Sequence, residues 1–372
     1  MKLFRCDHCG NVLYFENTVC ENCGHALGYW HATNMLVSLE ADGDHFRAPI
    51  LPDQKFVYCI NAQHGACNWL VEYNPGGDPF CRACRHNGII PPMDDPHNLG
   101  NWQVIERAKK RLFYSLLRFR LPLATRNEDP VHGLRFEFLS DQAAHHPVMT
   151  GHENGIITLA LKEADDAERE RRRTAMNEPY RTLLGHFRHE VGHYFWDLLI
   201  APQPANLERF RALFGDERPD YGEALQRHYA SGAPPDWQQH FISAYATSHP
   251  WEDWAETWAH LLHIVDTTEV ASAFGVRLDP KVDTSGELKT RIDFDPYRLN
   301  AIEPLIEHWI PLSSLMNNLN RAIGQRDAYP FVLSPPVIAK LGFILETVRD
   351  AGRTQWTVPG PTGPIPINTP AA

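Results

Sequence analysis

All eight cysteines of the 372-residue chain fall before residue 85, and six of them stand in C-x-x-C pairs. The pairs are Cys6/Cys9, Cys20/Cys23 and Cys81/Cys84, with Cys59 and Cys67 between the second and third. Thiolates two residues apart can hold one metal ion from a tight turn whose backbone amides point at the sulfurs. Gly10 and Gly24, each one residue past a pair, suit that turn. Four sulfurs complete a tetrahedral zinc and leave no open position, so eight make two structural sites. Cys6, Cys9, Cys20 and Cys23 form the first; Cys59, Cys67, Cys81 and Cys84 form the second. His8, His25 and His86 flank the pairs but are not needed as ligands. A disulfide framework fits poorly with three C-x-x-C pairs and no apolar leader in "MKLFRCDHCG". A redox motif rarely comes in threes and wants a βαβ setting.

Charge narrows the partners. The net charge is −11, from 35 basic and 46 acidic residues. The first 97 residues hold more acids than bases, which argues against nucleic acid. The one basic cluster, "ERAKKRLFYSLLRFR" from Glu106 to Arg120, reads as the solvated face of an amphipathic helix. No apolar run is long enough to span a membrane, and the expected address is the cytoplasm. Oligomeric state is left open.

The organisation expected is a first zinc ribbon over 1–30, a second over 31–97, an α+β domain over 98–355, and a Pro-rich tail over 356–372. Within the large domain, "GLRFEFLS" alternates as a strand does, and "PVMTGHENGIITLAL" reads as a hairpin of two β-rich runs around Gly151-His152-Glu153-Asn154-Gly155. Helices are expected from Asn101 to Arg120, through "EPYRTLLGHFRHEVGHYFWDLLI", near 205–214 and 220–231, from "HPWEDWAETWAHLLHIV", and in two late stretches.

The stretch His189-Glu190-Val191-Gly192-His193 is an H-E-x-x-H pattern. With 20 histidines in the chain, chance alone gives such a pattern odds of roughly one in fifteen. The setting strengthens it. Leu183, Phe187, Val191, Tyr194 and Leu198 mark an amphipathic helix, and residues four apart on a helix point both imidazoles at one metal. A catalytic zinc also needs a third protein ligand. Glu252 and Glu256 follow Pro250 on a later helix, four apart. One can bind while the other orients an imidazole. Glu252 is expected nearer the cleft mouth and Glu256 one turn deeper. Asp253 is a weaker alternative ligand. His186, His260 and His263 read as packing or supporting residues.

H-E-x-x-H followed some sixty residues later by Glu252-x-x-x-Glu256 resembles the gluzincin metallopeptidases. Tyr245, seven residues before Glu252, sits where gluzincins of the lethal-factor type carry an active-site tyrosine. With cysteine ribbons ahead of "YRTLLGHFRHEVGHYFWD" and "EDWAETWAH", residues 1–350 look like a bacterial family of zinc-binding metallopeptidases with an N-terminal zinc ribbon. The resemblance implies a zincin-like fold, with His189, His193 and Glu252 on a catalytic zinc and Glu190 as general base. It implies that Glu256 accepts a hydrogen bond from a ligand histidine and that Tyr245 donates to the oxyanion. It also implies that "GIITLAL", 155–161, is the edge strand that pairs with an extended peptide. The expected activity is zinc-dependent hydrolysis of peptide bonds in a protein or peptide substrate, which the ribbons recruit or position. The rival reading is a catalytically idle adaptor of the same fold.

Overall fold

The structure is a computed structural model and describes residues 1–141, 148–175 and 182–353, with only the backbone of 172–175. The expected tail over 356–372 and the start of the helix at 178–181 lie outside the described residues.

The first knuckle pairs β1 (Phe4–Arg5) with β2 (Val12–Leu13). Five antiparallel strands follow as a meander: β3 (Ala26–Trp30), β4 (Met35–Asp42), β5 (His45–Ala48), β6 (Leu51–Tyr58) and β7 (Leu70–Glu72). A bridge between Tyr29 and Trp69 brings the first strand back to the last, so Trp30, Val37, Leu39, Phe56 and Leu70 share one small core. A boundary at residue 30 therefore cuts between two paired strands, β3 and β4. The expected second ribbon is a closed meander with a four-cysteine cluster at its end.

β8 (Asn87–Ile89) leaves that region and joins the sheet of the large domain beside β9 (Arg135–Leu139). A cut at residue 97 would thus separate a strand from its sheet. The sheet is completed by β10 (Gly151–Glu153) and β11 (Ile156–Ala160), in the order β10-β11-β9-β8. β11 runs parallel to β9 over five residues and antiparallel to β10 over three. Both edges of β11 are occupied, so the expectation that 155–161 forms the open edge is corrected. The edge is β10. The hairpin turns at Asn154-Gly155, later than the sequence suggested, which moves Gly151, His152 and Glu153 out of the turn and into the strand.

One sheet face packs on α1 (Pro96–Arg118), while Phe136 meets Phe187 of α3 (Leu183–Leu199) at 5.6 Å between ring centres. α2 (Asp166–Ala175) precedes α3. α4 (Pro204–Phe214), α5 (Tyr221–Ser231) and α6 (Pro250–Ala273) follow it. A short pair, β12 (Arg277–Leu278) and β13 (Thr290–Arg291), leads to α7 (Glu303–Ala322) and α8 (Pro335–Arg353).

α3 and α6 form the central pair. The Thr182 hydroxyl caps α3 by accepting the Gly185 N–H at 2.9 Å, and Pro250 occupies the first turn of α6 behind the His249 cap. Their contact runs through Gly192. A Cβ there would stand 3.0 Å from the Ala255 Cα and 3.3 Å from Trp258, while the Trp254 indole N–H donates to the Gly192 carbonyl at 2.8 Å. Gly192→Val is therefore expected to cost about 1–3 kcal/mol by overpacking, read as a lower thermal midpoint. An unchanged midpoint would mean that the two backbones are not held this close.

Candidate metal centres and active site

In both cysteine clusters all four sulfurs lie within 4.8 Å of one another. Cys6 and Cys23 stand 3.8 Å apart, Cys9 and Cys20 3.6 Å, and Cys67 and Cys81 3.7 Å. Disulfides are far shorter, and the eight thiols are free. Sulfurs at 2.3 Å around one tetrahedral zinc would be about 3.8 Å apart, so the donor sets fit that ion. Gly10 and Gly24 both take positive φ, at 79° and 76°, closing the two knuckle turns of the first cluster. In the second cluster the Trp69 and Cys81 amides point at the sulfurs of Cys67 and Cys59, each at 3.4 Å.

The basic cluster on α1 is not a solvated face. Lys109 and Lys110 are buried together with Glu106. Lys109 donates to Glu106 at 2.7 Å and also to Asn87; Lys110 donates to Glu106 at 2.5 Å and to the Cys84 sulfur at 3.1 Å. Burial opposes ionisation of Cys84, but the other thiols and the Lys110 ammonium outweigh it and hold the group well below its usual range. Two buried ammonium groups against one carboxylate leave a positive excess that is costly unless a thiolate balances it. The second cluster thus supports α1 electrostatically, and α1 supports the cluster. Lys110→Met is expected to weaken zinc at this cluster about 10–100-fold and leave the first unchanged. Competition with a chelating dye measures it against the wild-type chain, and an unchanged affinity at the second cluster would refute the pairing.

The third cluster joins α3 and α6. His189, His193 and Glu252 place ligand atoms within 4.8 Å of one another. The two Nε2 atoms are 3.1 Å apart, and Glu252 approaches them at 3.0 Å from His189 and 3.4 Å from His193. Nitrogen and oxygen ligands of one tetrahedral zinc would be about 3.3 Å apart. The buried Glu252 Oε2 has no hydrogen-bond partner, which suits an atom facing a cation. Burial pushes the Glu252 carboxyl up, yet the adjacent His193 and His189 imidazoles hold it well below the usual range.

Glu256 receives the His189 Nδ1–H at 2.7 Å, which leaves Nε2 bare and fixes the ring. The Ser243 hydroxyl donates to the other Glu256 oxygen at 2.6 Å. The expected order of depth is reversed. The Glu252 side chain is 1% exposed and that of Glu256 21%. Tyr221, on α5, covers Glu252 and donates its hydroxyl to Oε1 at 2.7 Å.

Glu190 follows His189 on α3. Burial raises its carboxyl above the ordinary range while the His189 and His193 imidazoles pull it down. The Tyr245 ring lies 6.0 Å from that of His189, and burial followed by the Glu252 charge keeps its hydroxyl protonated. Trp251 packs at 4.0 Å on the His193 ring. His152, on the edge strand, lies parallel to His193 at 6.4 Å; burial and then His193 hold it neutral, near about 3. Tyr221, Ser243 and His152 were not legible in the sequence, because no fixed spacing ties them to the metal-binding pattern. The other candidates are engaged elsewhere. Asp253 pairs with Lys340 at 2.6 Å, His260 meets the Tyr329 hydroxyl at 2.8 Å, His263 meets Arg188, and His186 stands 3.6 Å from Glu163.

Comparison with known proteins agrees with this layout. Residues 3–95 match a zinc-ribbon domain, and residues 98–347 match the family described as "Putative zinc-binding metallo-peptidase". Uncharacterised proteins of Mycobacterium tuberculosis and Mycobacterium bovis are 43% identical over 352 residues, covering 94% of this chain and 96% of theirs. No solved structure matches the chain. Among the described residues no helix is long and apolar enough to cross a membrane. A zinc-ribbon region leading into a mixed helix-and-sheet domain, matched over most of its length, places this chain in the zinc-binding metallopeptidase family.

Proposed function

We propose that the chain hydrolyses peptide bonds at the centre formed by His189, His193 and Glu252, in the manner of a gluzincin. The observation that carries this reading is the convergence of those three donors, 3.0–3.4 Å apart, beside a carboxylate on the same helix whose proton affinity is raised by burial. Zinc bound there supplies Lewis acidity, which polarises a carbonyl and acidifies water.

The chain's own groups do the rest. Glu190 removes the proton from the attacking water and returns it to the departing amine. Its raised proton affinity suits both halves of that exchange. The Tyr245 hydroxyl, kept protonated, donates to the oxyanion as the tetrahedral carbon forms. Glu256 and Ser243 hold His189 in place. The β10 edge, not β11, offers main-chain groups to an extended protein or peptide substrate. The ribbon region positions that substrate, being continuous with the catalytic sheet through β8. Eight free thiols suit a reducing compartment such as the cytoplasm.

The test is a digest of a proteome-derived peptide library by the purified full chain, with chelated protein and Glu190→Gln as controls. New termini that vanish in both controls support the reading. A zinc-loaded protein that cuts nothing in the library would favour the idle adaptor.

A further inference from the structure

We propose that α5 is a latch over the metal centre, closed by the Tyr221 hydroxyl on Glu252 and released when the metal leaves. This rests on His189, His193 and Glu252 holding a metal. Three observations outside the chemistry of that site carry the latch.

The first is how exposed α5 is. Of its eleven residues only Ala224 is buried. Gly222, Glu223, Gln226, Arg227, Ala230 and Ser231 are exposed. The second is where its fastenings lie. Tyr221 and His228, two turns apart on one face, both reach residues of the metal centre or its rim. Tyr221 donates to Glu252 at 2.7 Å, and its ring packs 5.8 Å from Trp251. His228 meets the Thr247 hydroxyl at 3.2 Å, and its ring lies 6.0 Å from that of Tyr245. The third is the way the helix is joined to the fold. Gly215 and Gly232 bracket it with φ of 102° and 73°, backbone that other residues rarely adopt. The Asp220 side chain caps α5 by accepting the Glu223 N–H at 2.8 Å, so the helix is completed locally and can move as one body about its two ends.

The Tyr221 bond also sorts the two Glu252 oxygens. Oε1 is engaged by the hydroxyl, whereas the buried Oε2 has no donor. Tyr221 is therefore a positioning residue: it orients the carboxylate so that Oε2 is presented beside His189. By the same contact the ordering of Glu252 by a metal orders α5. An emptied centre frees the carboxylate and loosens the helix.

Hydrogen exchange over residues 215–232, together with zinc titration against a chelating dye, tests both sides. In the wild-type chain, removing the third zinc is expected to deprotect α5 amides while α3 and α6 stay protected. Tyr221→Phe is expected to exchange fast in α5 even with zinc bound, and to bind that zinc about 10–100-fold more weakly. A wild-type chain that takes zinc at the cysteines and no third ion overturns the metal centre and the latch with it. A third zinc bound equally by wild type and Tyr221→Phe, with equal α5 protection, overturns the latch alone.

Discussion

Glu190→Gln is expected to retain all three metal sites and the thermal midpoint of the wild type while peptide hydrolysis falls by about 10²–10⁴-fold. Glutamine keeps the size and much of the hydrogen bonding of the carboxylate but cannot take a proton from water. The three converging donors are contributed by other side chains, so metal content is not expected to change. Burial of Glu190 makes the charged form costly, and removing the charge should not destabilise α3. The measurement is zinc per chain, thermal midpoint and cleavage of the same peptide library, side by side. Turnover within a few-fold of wild type would remove Glu190 from the mechanism. Loss of the third zinc would mean that it is a ligand after all.

What the sequence made legible was local. Two cysteines three positions apart, or two histidines four apart on a helix, bring their side chains together through backbone geometry alone, wherever the rest of the chain goes. The paired donors within each cluster follow from that, whereas Cys59, Cys67 and Glu252 join theirs through the fold. Glu256 could be paired with Glu252 for the same reason, and the His249–Pro250 start of α6 was visible in its capping residues. The failures are tertiary. Lys109 and Lys110 have the spacing of a solvated face, and only the docking of α1 on Cys84 and Asn87 shows why they are buried. The edge strand was misplaced because the resemblance implies a strand beside the metal-binding helix without saying what pairs on either side of it in this chain. Gly151-His152-Glu153 looked like a turn until the actual turn, Asn154-Gly155, was in place. Tyr221 reaches Glu252 over a sequence separation of 31, and no periodicity encodes that distance.

The depth of the two α6 carboxylates separates their roles more sharply than spacing did. Glu252→Ala is expected to lose the third zinc outright, leaving two per chain. The side chain is 1% exposed, so its place beside the metal is closed to bulk solvent. The mutation also leaves His189 and His193 as the remaining donors and deprives the Tyr221 hydroxyl of its acceptor. Glu256→Ala is expected to be milder. His189 loses the acceptor for Nδ1–H, and metal affinity drops about 10–100-fold, but zinc in excess still fills the site. At 21% exposure, solvent can reach the place of the Glu256 carboxylate and accept the same proton. The Ser243 hydroxyl, freed from Glu256 at 2.6 Å, adds a second polar group there. Zinc titration of both variants at neutral pH decides the matter, with the cysteine-bound ions counted separately by thiol titration. The opposite order, Glu256→Ala empty and Glu252→Ala loaded, would move the third ligand one turn along α6 and turn Tyr221 into a contact of a supporting carboxylate.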